Sequence, residues 1–86
     1  MTTLITAEDF NTNVLDHPPC DLWEFYGANN QEMFLFRCAN TIHQVQRGES
    51  NGSYSYYSIS EAEFNILFAL QNDHDLAIGT FDSMVE

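Results

Sequence analysis

The sequence predicts an α+β fold: a small antiparallel sheet of three or four strands flanked by two helices, in the order α-β-β-β-α. Three observations carry this. Thr6 followed by Asp9 reads as a helix start, and Ser60 followed by Glu63 is a stronger one ahead of EAEFNILFALQ. Between them lie aromatic-rich runs broken by turn residues, the pattern of successive antiparallel strands. Finally, 86 residues with 44% apolar and 14% aromatic content can form one core without metal or disulfide staples, near the lower size limit for doing so. Residues 1–86 are read as a single domain with no repeat, linker or low-complexity tail.

In the first predicted helix, TAEDFNTNVLDH, Thr6 is the N-cap and Phe10, Val14 and Leu15 form a short apolar stripe. Pro18 and Pro19 stop it, since neither donates a backbone hydrogen bond and each biases its predecessor toward extended backbone. CDLWEFYGANNQEMFLFRCA then reads as a hairpin folded about Asn29. That register sets Cys20 opposite Cys38, Asp21 opposite Arg37, Trp23 opposite Leu35 and Phe25 opposite Met33, making an ion pair and several apolar pairs at once. Trp23, Phe25, Met33 and Leu35 share one face. Leu22, Phe34 and Phe36 share the other, with Glu24, Tyr26 and Glu32 toward its tip.

TIHQVQ, a loop RGESNG and SYSYYSI suggest a second hairpin, with Tyr54 and Tyr56 on one face and Tyr57 and Ile59 on the other. The helix after Ser60 presents Phe64, Leu67, Phe68 and Gln71 along one stripe, widened by Ile66 and Leu70. The end, DHDLAIGTFDSMVE, is open between a last strand around Leu76 to Ile78 and a short helix after Thr80.

Charge is the outlier. Thirteen carboxylates face two basic residues, Arg37 and Arg47, for a formal net charge of −11, and lysine is absent. A small domain needs a net charge of magnitude only roughly 2–8 for solubility. Disorder does not explain the excess, because disordered acidic chains are poor in aromatics and this one has seven Phe, four Tyr and a Trp. MTTLITAEDF lacks the features of a secretory signal, and the longest apolar run, Ile66 to Leu70, falls far short of the about 20 residues a span requires. The expectation is a cytosolic protein, repelled by anionic lipid.

Candidate chemistry is thin. His17, Cys20, Cys38 and His43 have the donor types of a zinc site but not its tight paired spacing. Two reduced cysteines packed as small hydrophobes are the default in a reducing compartment, with a cross-strand disulfide as the alternative. NDHDLAIG has the look of a calcium loop through Asp73 and Asp75, yet its glycine is one position late and the closing glutamate is missing. No nucleophile elbow, phosphate loop or metalloprotease motif is present, and few groups could stabilise a developing anion. The expectation is therefore a protein that is not an enzyme and takes no cofactor. Direct nucleic-acid binding is disfavoured as well, since phosphate contacts rely on Lys and Arg.

What such a surface can do is bind what nucleic acid binds. Duplex DNA carries one charge per ~1.7 Å of axis, and clustered carboxylates can present a comparable density to a basic groove. Glu61 and Glu63 form one cluster at the start of the second predicted helix. Asp73, Asp75 and Asp82 form another after its end, and Asp21, Glu24 and Glu32 on the first hairpin a third. Tyr54 and Tyr56 are amphipathic side chains of the kind enriched at interfaces. The bland reading of each cluster alone is a solvated polar face; the missing lysines weigh against it for the set.

A compact, strongly acidic α+β domain of this size without catalytic motifs resembles phage-encoded inhibitors that mimic DNA, of which anti-CRISPR proteins are the largest group. The likeness covers the whole chain in size, charge and element pattern, and it carries no residue role across. It implies a target in a CRISPR effector complex, at the basic surface that receives target DNA or reads the PAM. The protein itself is expected to be a monomer or homodimer. The alternative is a bacterial immunity protein or antitoxin that plugs the basic active site of a nuclease toxin.

Overall fold

Both predicted helix starts are capped as the sequence proposes. The structure, a computed structural model, describes residues 1–85. In α1 (Ala7–Asp16) the Asp9 N–H donates to the Thr6 hydroxyl at 3.0 Å. In α2 (Glu61–Ala69) the Glu63 N–H donates to the Ser60 hydroxyl at 3.1 Å, and the Ser60 N–H donates back to the Glu63 carboxylate at 2.8 Å. This reciprocal arrangement satisfies two helix-end donors at once.

The sheet is antiparallel throughout, with strands β1 (Thr3–Ile5), β2 (Cys20–Tyr26), β3 (Glu32–Cys38), β4 (Ile42–Gly48) and β5 (Tyr54–Ser58) in the spatial order β1-β5-β4-β3-β2. The β2–β3 register is the predicted one at every position, from Cys20 opposite Cys38 to Tyr26 opposite Glu32. Two positive-φ residues, Asn29 and Asn30, turn that hairpin. The fold is thus α+β as expected, but the described residues form five strands rather than three or four. They also form a third helix.

Two corrections of assignment follow. The three-residue β1 adds to the sheet edge beside β5, where the sequence showed only a lead-in to α1. The segment after residue 73 is neither a strand nor a short helix after Thr80 but one helix, α3 (His74–Val85), which starts seven residues earlier than the helical option allowed. Asp73 caps it, accepting from the Leu76 N–H at 3.1 Å, and Ala77, Ile78 and Phe81 supply its buried stripe.

The main core lies between one sheet face and α2 with α3. Phe25, Met33, Leu35 and Val45 meet Phe64, Leu67, Ala77, Ile78 and Phe81 there. Phe68 departs from expectation, being 37% exposed at the core margin, edge-on to Trp23 at 5.2 Å. On the opposite sheet face α1 covers one end only: Phe10 meets Phe36 at 5.0 Å and Tyr56 at 4.9 Å. The Asn13 side-chain amide donates to the buried Gln44 at 2.9 Å. Leu15, counted in the α1 stripe, is exposed.

The cysteines are also corrected. Cys20 and Cys38 are joined in a disulfide across β2 and β3, their Cα atoms 4.0 Å apart, rather than lying as two thiols. No helix among the described residues is long and apolar enough to cross a membrane, and no group of three or more His, Cys, Asp or Glu among them could hold a metal.

Candidate partner-binding surface

Strand alternation decides where each charge faces. Arg37 and Arg47 both project from the face that α2 and α3 cover, and there both are paired. Arg37 Nη2 lies 2.9 Å from Asp21 Oδ2, and its guanidinium sits over the Trp23 ring at 5.3 Å. Arg47 is 2% exposed. The sequence reading placed it in a loop, whereas β4 runs on through Gly48 and carries it into the interior. Asp82 of α3 receives it in a two-pronged pair, Nε to Oδ1 and Nη2 to Oδ2, each 3.0 Å. Its remaining donors go to the Gly48 and Glu32 carbonyls and to the Gln31 side chain. A guanidinium stays charged when buried, so its donors and its charge must both be met from within the fold.

Several residues proposed for the partner face also have partners within the fold. Asp21 and Asp82 are counter-ions. Asp73 caps α3, and Asp75 accepts the Ala28 N–H at 2.8 Å, so the first turn of α3 clamps the tip of the β2–β3 hairpin. The Tyr26 N–H, donating to His74 Nδ1 at 3.0 Å, completes that clamp.

The Glu61 and Glu63 pair divides. Glu61 is exposed, while Glu63 is half-buried and receives the Ser60 N–H, the Thr2 hydroxyl at 2.7 Å and the N-terminal ammonium at 3.0 Å. Burial acts to raise the Glu63 pKa, but those donors outweigh it and hold it at about 2. His43, beneath Phe64, is pushed below its ordinary pKa by burial, with Glu61 opposing and Arg37 adding to the shift.

The third proposed cluster is split by the sheet. Asp21 projects to the core side, whereas Glu24 and Glu32 project to the opposite face, at the end α1 leaves open. Tyr54 joins them; Tyr56 shares that face but is half-buried under Phe10. The Tyr54 hydroxyl lies 3.5 Å from Glu32 Oε2, and the Tyr26 hydroxyl donates to Glu24 Oε1 at 2.8 Å.

Gly48 makes this layout possible. It pairs with both Glu32 and Tyr54, and a Cβ there would stand 2.9 Å from the Tyr54 ring and 3.3 Å from Glu32 Cβ. Only a residue without a side chain lets that ring lie over the strand toward Glu32. Phe34 fills the middle, 5.9 Å edge-on from the Tyr26 ring. The Tyr26 phenol is pushed up, first by its bond to Glu24, then by partial desolvation and the charges of Glu24 and Glu32.

Tyr26 and Phe34 were placed on this face by alternation in the sequence but not counted as site residues. The signal that would have found them is their neighbourhood, two glutamates with no basic partner among the described residues and an uncovered sheet end, and it emerges only once α1 is positioned. The described residues enclose no pocket, so what they offer a partner is this surface. No family model matches the chain, and no curated protein and no solved structure matches it either.

Proposed function

We propose that the protein is an inhibitor of the anti-CRISPR kind, which occupies a basic nucleic-acid-binding surface of a CRISPR effector and keeps target DNA out by charge mimicry. The observation that carries this reading is the pairing of both arginines. Arg37 with Asp21 and Arg47 with Asp82 pair each of the chain's two guanidinium groups with a carboxylate on one side of the sheet. The remaining carboxylates face a partner with no arginine or lysine among them. In a net charge of −11, that arrangement leaves a field of one sign, which attracts and orients a basic groove over a distance set by the salt concentration.

The protein acts in the host cytosol, by binding and without a cofactor. A reducing cytosol disfavours the Cys20–Cys38 bridge. The strand ends are held independently of it, by the β2–β3 ladder and by the Ala39 N–H donating to the Pro19 carbonyl at 2.8 Å.

The test begins with the tagged protein used to recover its target from a host lysate. The inhibitor is then titrated against labelled DNA on the purified target. Inhibitor should displace DNA, and its affinity should fall steeply as salt rises. A stable ternary complex with undiminished DNA affinity overturns mimicry, and recovery of a nuclease toxin in place of an effector replaces the target class.

A further inference from the structure

We propose that the uncovered sheet face bearing Tyr26, Phe34 and Tyr54 around Glu24 and Glu32 is the docking surface, and that its occupant is an arginine-bearing segment of the basic partner. This rests on the reading of a basic partner and says where and how that partner is held.

The face carries exposed aromatic area that a monomer does not need: Tyr26 is 54% and Tyr54 46% exposed, although each ring is within reach of the sheet. The two carboxylates stand diagonally across β2 and β3, since Glu24 pairs with Phe34 and Tyr26 with Glu32. Each carboxylate thus has an aromatic ring opposite it on the neighbouring strand. The Tyr26 hydroxyl donates to one oxygen of Glu24, and the Tyr54 hydroxyl stands 3.5 Å from one oxygen of Glu32, so each carboxylate keeps an oxygen open to a donor.

Charge complementarity selects the occupant. A second copy would set Glu24 and Glu32 against themselves, and phosphates or anionic lipid would be repelled. A cation is required, and the face specifies which kind. An ammonium is strongly hydrated and gains mainly from charge. A guanidinium is planar and weakly hydrated, stacks on aromatic rings, and pairs with a carboxylate through fixed donors. Alternating rings and carboxylates on a flat sheet suit arginine.

The probes are nona-arginine and nona-lysine peptides of equal charge, titrated into the full chain and followed by amide chemical shifts. Nona-arginine should bind tighter by about threefold or more at the same salt, with shift changes centred on β2, β3 and the end of β4. Glu24→Gln with Glu32→Gln should weaken it by on the order of tenfold, because the contacts are local. Glu8→Gln with Asp16→Asn, both on α1, removes the same charge elsewhere and should produce only the small loss due to the general field. Tyr26→Leu with Tyr54→Leu keeps every charge and should erase the preference for arginine. Equal affinity for the two peptides, with shift changes spread over the first turns of α1 and α2, overturns this face while leaving a basic partner in place. Binding of neither peptide at low salt overturns both.

Discussion

Asp82 holds the one arginine that the fold buries, and its removal gives the sharpest test of the interior. Asp82→Asn leaves Arg47 at 2% exposure facing an amide, which can accept one hydrogen bond where the carboxylate accepts two and carries the charge. Breaking a buried pair by removing one partner costs on the order of 3–5 kcal/mol. The Asp82 side chain is 46% exposed, so water can reach the pair, and about 2–3 kcal/mol is the reasonable expectation. Against a domain of this length, worth roughly 4–13 kcal/mol in total, that is a large loss. The melting temperature should fall by roughly 10–20 °C.

Arg47→Met should cost less. It removes the buried charge and keeps the volume, and the carboxylate it abandons can turn to solvent. Urea unfolding of wild type, both single variants and the double variant closes a cycle that isolates the pair. Glu8→Gln, in α1 on the other face of the sheet, serves as the control for the relief of general repulsion that any lost negative charge brings. Should Asp82→Asn unfold within about 0.5 kcal/mol of wild type, Arg47 is not buried against α3 and the packing of α3 on β4 is wrong.

Leu67→Ala should cost roughly 2–5 kcal/mol because the side chain is fully buried, while Phe68→Ala should cost about 1–2 kcal/mol, its ring being half in solvent; equal losses in thermal melts would return Phe68 to the core. Ala39 turns β3 into β4 at φ 52°, so Ala39→Gly should raise stability by about 0.5–1 kcal/mol, and a lower denaturation midpoint would contradict that backbone conformation. Glu63, held at about 2 against an ordinary 4.5, contributes stability that is complete above the unfolded value and lost as pH falls through the folded one. Glu63→Gln should therefore cost roughly 1–3 kcal/mol at pH 7 and clearly less at pH 3; a difference from wild type that does not change with pH excludes the ion pair and caps as its source. Reducing Cys20–Cys38, separated by 18 residues, should remove at most about 3 kcal/mol on loop-closure grounds and leave circular dichroism unchanged; a reduced chain that unfolds at 25 °C removes the cytosol as its place of action.

The parts of this fold that were legible in sequence are those fixed by short-range rules. Ser60 with Glu63 and Thr6 with Asp9 announce helix starts because a side chain and a backbone N–H three residues apart must meet there. The β2–β3 register was legible because one alignment satisfies Asp21 with Arg37 and the apolar pairs together, and a one-residue slip reverses every face. What was not legible depends on contacts distant in sequence. β1 is three residues long, below the length at which alternation registers, and only its pairing with β5 makes it a strand. α3 carries Gly79 and Thr80 in its middle, both weak helix formers, and its identity rests on Ala77, Ile78 and Phe81 finding the core. Phe68 and Phe64 lie on one helical stripe and both meet Trp23 of the edge strand β2, yet Phe64 is buried and Phe68 lies at the margin.

The candidate surface was half legible for the same reason. Counting carboxylates gives a field but not its direction, and direction comes from register. His43, Val45 and Arg47 alternate onto the core side of β4, and Asp21 and Arg37 onto the same side across β2 and β3. Arg47, buried there, cannot stay unpaired in a low-dielectric interior and is met by Asp82, while Arg37 at the margin pairs with Asp21. The opposite side then has glutamates and tyrosines but no arginine. Had β4 been threaded one residue out of step, Arg47 would stand between Glu32 and Tyr54 or between Phe34 and Tyr56 and quench the face from within, with the net charge unchanged. The asymmetry that a basic partner would read is therefore a property of pairing register, imposed by the same apolar side chains that hold the sheet to its helices.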